Sequence, residues 1–161
     1  MELLYLLFGI YIISSIIIRV RKGEFDHSLS GRIAMSAMLL LTASGHFIFP
    51  EGMAKMIPDF IPFRIFLVYL TGILEFLAAI GLIIDRYSRI TSLLLIIFFI
   101  AILPANINAA INNIDLRTGD NSGPGIEYLY FRIPMQLLFI GWTYLFGLKL
   151  NRKDLKEKAE T

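Results

Sequence analysis

The 161-residue chain has no cysteine and only two histidines, His27 and His46. The missing thiols exclude disulfide frameworks, thiol relays, Cys-ligated zinc and iron–sulfur clusters. The scarcity of imidazole argues against a metal or haem site built from several histidines. Charge is also sparse. Asp, Glu, Lys and Arg make up 17% of the chain, against about 25% in an ordinary soluble domain. No basic patch interleaved with aromatics stands in a polar segment, so a nucleic-acid role has no support. What is abundant is apolar: 57% of residues are hydrophobic and the mean hydropathy is +0.70. That balance places the chain among integral membrane proteins, and its length allows one domain.

A spanning helix needs about 20 mostly apolar residues. Five stretches meet or approach this, at about 3–20, 33–49, 65–84, 90–111 and 128–148. A lone strand cannot satisfy its backbone in lipid, so the expected fold is all-α: a multi-pass bundle over residues 1–148 with five transmembrane helices. Glu2 stands where a signal peptide would be basic, so the first segment reads as a retained helix. The connections expected are a basic loop from Arg19 to Arg32, a Pro-rich loop from Pro50 to Arg64, a tight turn at Asp85–Arg89, and a Gly-rich loop from Asn112 to Glu127. A basic tail at 149–161 follows. Eleven of the fifteen Lys and Arg fall in the first and third connections and the tail. By the positive-inside rule that side is cytoplasmic, with the N-terminus outside and the C-terminus inside.

Ionisable residues within a span are costly and usually face the bundle interior. At 1.5 Å per residue, Glu75 lies about 15 Å below the outer end of the third segment. His46 and Arg132 lie within about 10 Å of the outer ends of the second and fifth. Asn106 lies in the outer third of the fourth, and Gln136 one turn deeper than Arg132. Four segments thus bring His46, Glu75, Asn106, Arg132 and Gln136 to similar heights, with Thr71, Asn108 and Tyr128 as secondary members. Thr71, Gly72, Ala78 and Ala79 share a face with Glu75, and small residues admit close helix approach. The first segment brings only Ser14 and Ser15, so it is expected outside a four-helix core, and the inner halves of the helices read as nearly all apolar. Opposite charge at comparable depth predicts a Glu75–Arg132 ion pair. Such a pair can serve packing alone or line a pocket. The extra donors of His46, Asn106 and Gln136 favour the pocket. His46 is either an interfacial residue or a proton-transfer group, and no metal site is expected. Pro104 and Pro134 each remove a backbone donor close to the polar cluster.

Four short motifs then carry a resemblance: Ser44-Gly45-His46-Phe47, Tyr69-Leu70-Thr71-Gly72-Ile73-Leu74-Glu75, Leu103-Pro104-Ala105-Asn106-Ile107-Asn108, and Phe131-Arg132-Ile133-Pro134-Met135-Gln136. In order on successive helices, over about residues 32–148, they resemble the DoxX-like family of small bacterial membrane proteins. The resemblance implies a four-helix bundle, to which the N-terminal helix is an addition. It also implies a link to quinone-dependent or membrane-associated oxidoreductase systems. Without cysteine, the electron carrier would be a bound quinone, a partner subunit or an added cofactor.

The function expected from residues and resemblance together is a bacterial inner-membrane protein in contact with the lipid bilayer. It would have an outward-facing polar pocket for a small amphipathic ligand such as a quinone, and serve as membrane subunit to an oxidoreductase partner. The alternatives are a small-solute transporter and a non-catalytic structural or assembly protein.

Overall fold

The computed structural model describes residues 2–151, and among them every long apolar run is helical and no strand occurs. The helices are α1 (Glu2–Lys22), α2 (His27–Ile48), the short α3 (Pro50–Met56), α4 (Arg64–Ile83), α5 (Asp85–Ala101), α6 (Leu103–Ile111) and α7 (Leu129–Trp142). A 3-10 turn (Ile126–Tyr128) leads into α7, and a π-helical stretch (Thr143–Lys149) continues it. Four helical segments are long and apolar enough to cross a membrane: α1, α2, α4, and the run Asp85–Ile111 made by α5 and α6. The fifth expected span is divided, with 14 α-helical residues and then 7 in π geometry. The tail beyond Asn151 lies outside the described residues.

Local chemistry sets most of these boundaries, and it moves several of the expected ones. The Asp26 side chain accepts from Leu29 N at 2.8 Å, an N-cap that starts α2 at His27. The first basic connection therefore shrinks to a few residues, and Arg32 belongs to a helix. Asp85–Arg89 is the opening of α5 rather than a turn, and Ile84 alone joins α4 to α5. The fourth segment breaks at Ile102, because Pro104 in the first turn of α6 has no N–H for the preceding turn. Pro134, by contrast, sits inside α7. Within the Pro-rich connection, Pro50 opens α3 at a position where a missing donor costs nothing.

The core joins Leu7 of α1, Met35, Met38 and Leu39 of α2, Ala79 and Leu82 of α4, Leu95 and Phe99 of α5, and Met135 and Phe139 of α7. The helix α1 packs chiefly on α2, and Ile12, Ile13, Ile16 and Ile17 point away from the protein. That peripheral position agrees with the sequence reading. Alternation of helix direction gives the bundle two ends. The loop end carries α3 and the 112–127 connection, tied together where Asn108 Nδ2 donates to Met56 O at 2.9 Å. The hairpin end carries the α1–α2 and α4–α5 turns and the π stretch.

The hairpin half is not apolar inside, contrary to the expectation. Ser14, Ser15, Ser28, Ser30, Arg32, Ser36, Ser88, Ser92, Thr143 and Asn151 are all buried there. Most of their side chains bond backbone carbonyls: Ser36 to Ala79 O at 2.7 Å, Ser28 to Phe146 O at 3.0 Å and Ser92 to Ser88 O at 2.7 Å. Arg32, only 4% exposed, donates from Nη1 to Leu82 O at 3.1 Å and from Nη2 to Asp85 Oδ1 at 2.7 Å. Hydroxyls are nearly as small as methyls and let helices approach closely, which is why apolar counting along the sequence passes over them. Gly31 shows the closeness required: a Cβ there would fall inside the Phe146 side chain.

Candidate functional site

The loop half of the bundle brings most of the residues singled out by sequence together, but in two groups. The first lies between α2 and α4. His46 Nδ1 is 3.0 Å from Val68 O and 3.1 Å from Thr71 Oγ1. His46 Nε2 is 3.5 Å from Glu75 Oε1. Glu75 is 5% exposed, and its Oε2 makes no hydrogen bond. Thr71 Oγ1 donates to the carbonyl of Leu67 or Val68, at 2.9 and 2.8 Å. Gly72 makes the approach possible, since a Cβ there would stand 2.7 Å from His46 Cβ.

The second group lies between α6 and α7. Asn106 is 7% exposed and serves both neighbours. Its Nδ2 donates to Gln136 Oε1 at 3.1 Å, and its Oδ1 accepts from Arg132 Nη2 at 3.1 Å. Gln136 Nε2 in turn donates to Phe99 O, close to where Pro104 interrupts the helical ladder. The chain of donors therefore runs from a charged guanidinium through two amides to a backbone carbonyl.

The expected Glu75–Arg132 ion pair is not formed: Glu75 faces His46, and among the described residues no carboxylate lies within ion-pair distance of Arg132. Depth along a span fixes which residues share a height, but pairing also requires neighbouring helices. The buried face of α4 (Val68, Gly72, Glu75, Ala79, Leu82) lies mainly against α2, whereas α7 lies against α5 and α6. Asn108 serves the α3–α6 junction through Met56 rather than either group.

Beside the second group opens a cavity of about 240 Å³. Asn106, Arg132, Tyr128, Arg117 and Asp115 give it polar lining, and Met56, Ala109, Ala110, Ile114, Leu116 and Pro124 give it apolar lining. The loop residues Asp115 and Arg117 were not among those chosen from sequence. The one signal available was that Arg117 is one of few basic residues on the sparsely charged side. Asp115 Oδ1 accepts from the backbone N–H groups of Arg117 (2.7 Å) and Thr118 (3.0 Å). These two bonds, Thr118 first, hold its carboxyl below the ordinary carboxylate value. Oδ1 is thus spent on its own turn. The donors offered to a ligand are the Arg132 and Arg117 guanidiniums and the Tyr128 hydroxyl. Among the described residues no three His, Cys, Asp or Glu side chains gather as a metal site would require. The donor set suits an oxygen acceptor on a partly apolar molecule.

A family model described as Domain of unknown function (DUF8561) matches residues 35–147. No curated protein and no solved structure matches the chain.

Proposed function

The chain belongs to the DUF8561 family, and from that premise we propose that it is a bacterial inner-membrane protein that binds a small amphipathic ligand through an oxygen acceptor. Quinones are the ligand class we name. The carrying observation is Arg132. It is a half-buried guanidinium, without a carboxylate partner among the described residues, held by Asn106 at the wall of a cavity. A charge withdrawn from water calls for a counter-group, and a ligand oxygen seated against Arg132 and Tyr128 supplies one. The mixed lining accommodates the ligand's apolar body. In this reading the α7 and π stretch together make a fifth crossing, the loop end faces outward, and the C-terminus is cytoplasmic. The DoxX-like motifs support a role as membrane subunit beside an oxidoreductase partner, which would supply the electron chemistry.

Transport is the weaker alternative. Most buried serines of the hairpin half are bonded to backbone carbonyls, which is packing chemistry rather than a solute path.

The test uses the full chain in nanodiscs, titrated with a short-chain benzoquinone. A charge-assisted hydrogen bond contributes about 1.5–3 kcal/mol. Arg132→Gln is therefore expected to weaken binding about 10- to 100-fold, with Asn106→Leu weakening it as well. Absence of saturable binding, or binding indifferent to both substitutions, refutes the proposal.

A further inference from the structure

The α2–α4 group has a property that does not depend on what fills the cavity. A carbonyl oxygen only accepts, so the Val68 O contact at 3.0 Å places a hydrogen on His46 Nδ1. Thr71 does not alter this, because its single hydroxyl hydrogen is directed to Leu67 O or Val68 O. Toward Nδ1 it too can only accept. If the ring is neutral, Nε2 is then a lone pair. That lone pair would face the Glu75 carboxylate across 3.5 Å. Two acceptors facing each other at that distance repel, and Glu75, withdrawn from solvent, is costly to leave so opposed.

We propose that His46 and Glu75 form a site for one proton, held between Nε2 and the carboxyl group within the membrane-spanning part of the bundle. The proton is taken from water and rests on either partner, as imidazolium with carboxylate or imidazole with carboxylic acid. Both arrangements turn the Nε2–Oε1 contact from repulsion into attraction. Charged groups on α2, α3, α4, α5 and α7 are bonded or placed elsewhere. Arg132 of α7 bonds Asn106, Arg32 of α2 bonds Asp85, and Arg64 at the start of α4 bonds Asp59. Glu51 and Lys55 of α3 line a separate groove beside Phe63 and Phe66. On α5, Asp85, Arg86 and Arg89 sit in the first turns, at the hairpin end. The remaining buried atom, Glu75 Oε2, makes no hydrogen bond.

The experiment combines nitrogen NMR of the full chain, labelled at histidine, with infrared difference spectroscopy near neutral pH in lipid nanodiscs. His27→Gln assigns the two ring signals, because His27 lies apart, 2.9 Å from the Tyr11 hydroxyl. The expected result is a protonated Nδ1 on His46 with one of two companions. Either Nε2 is protonated as well, or a carboxylic-acid carbonyl band is present and is lost in Glu75→Gln. An Nδ1 without its proton overturns the proposal. So does a neutral ring together with an ionised Glu75. The wild-type NMR reading requires no variant to fold. In Glu75→Gln an amide donor can face Nε2, so this substitution keeps the seam attractive, whereas Glu75→Leu is expected to lose protonation at Nε2 where that form is present.

Discussion

Replacing Asn106 with alanine removes the one side chain that connects Arg132 to Gln136. Two contacts go at once: the charge-assisted bond from Arg132 Nη2 and the neutral bond to Gln136 Oε1, both 3.1 Å. On general scales the first contributes about 1.5–3 kcal/mol and the second about 0.5–1.5 kcal/mol. Polar contacts between membrane helices average nearer about 0.6 kcal/mol each, because the separated helices find other partners. Here the second scale is too low for the charged bond, since among the described residues Arg132 has no carboxylate to fall back on. A loss of about 2 kcal/mol is expected for Asn106→Ala, read by denaturant unfolding in mixed micelles. Asn106→Asp keeps an acceptor for Arg132 but opposes Gln136 Oε1 with a second acceptor, so it should fall between wild type and Asn106→Ala. A double-mutant cycle with Gln136→Ala isolates the amide pair. The reasoning fails if Asn106→Ala costs less than about 0.5 kcal/mol, or if the cycle is additive within about 0.3–0.5 kcal/mol.

Other substitutions probe the packing and the loop. Gly31→Ala drives a methyl into the Phe146 side chain; a cost of about 1–3 kcal/mol is expected, largely relieved when Phe146→Leu is added, and strict additivity would contradict the contact. Asp85→Asn should destabilise the protein more than Arg32→Met, since the first removes the counter-charge of a buried cation while the second leaves a carboxylate that is half exposed to solvent; thermal unfolding in detergent gives the order. Asp115 has a lowered carboxyl value, so its contribution to loop order is fully present above its ordinary value of 3.8 and is lost only as pH falls through the lower folded value. The amide signals of Arg117 and Thr118 should therefore stay constant from neutral pH down past that point, and Asp115→Asn should remove their acid transition.

Much of the bundle was legible because lipid enforces helix on apolar runs and capping chemistry is local. Asp26 and Pro50 start helices by such local chemistry, although both were placed in connections. What escaped was lateral. His46, Glu75, Asn106, Arg132 and Gln136 were found at one height, but a height carries no information on which helices touch. The carboxylate was therefore assigned to the guanidinium of a helix it does not face. Arg32 was counted with a loop because a single charge beside an apolar run looks like its boundary. Its partner, Asp85, comes into reach only when α2 and the α4–α5 turn are brought together. The loop residues Asp115 and Arg117 line the cavity through a fold of the 112–127 connection that no periodicity encodes.

The wide final coil, Thr143–Lys149, gives this polypeptide an unusual freedom. A π stretch holds one residue more than the α-helix that would fill the same rise. Excising one residue there lets the ladder tighten to ordinary spacing while Asn151 still reaches Ser88, a contact now 2.8 Å long. The same excision in the middle of α2 would swing every later side chain by about 100°. Natural length variation in this scaffold should therefore accumulate next to Gly147 and spare the four long apolar segments.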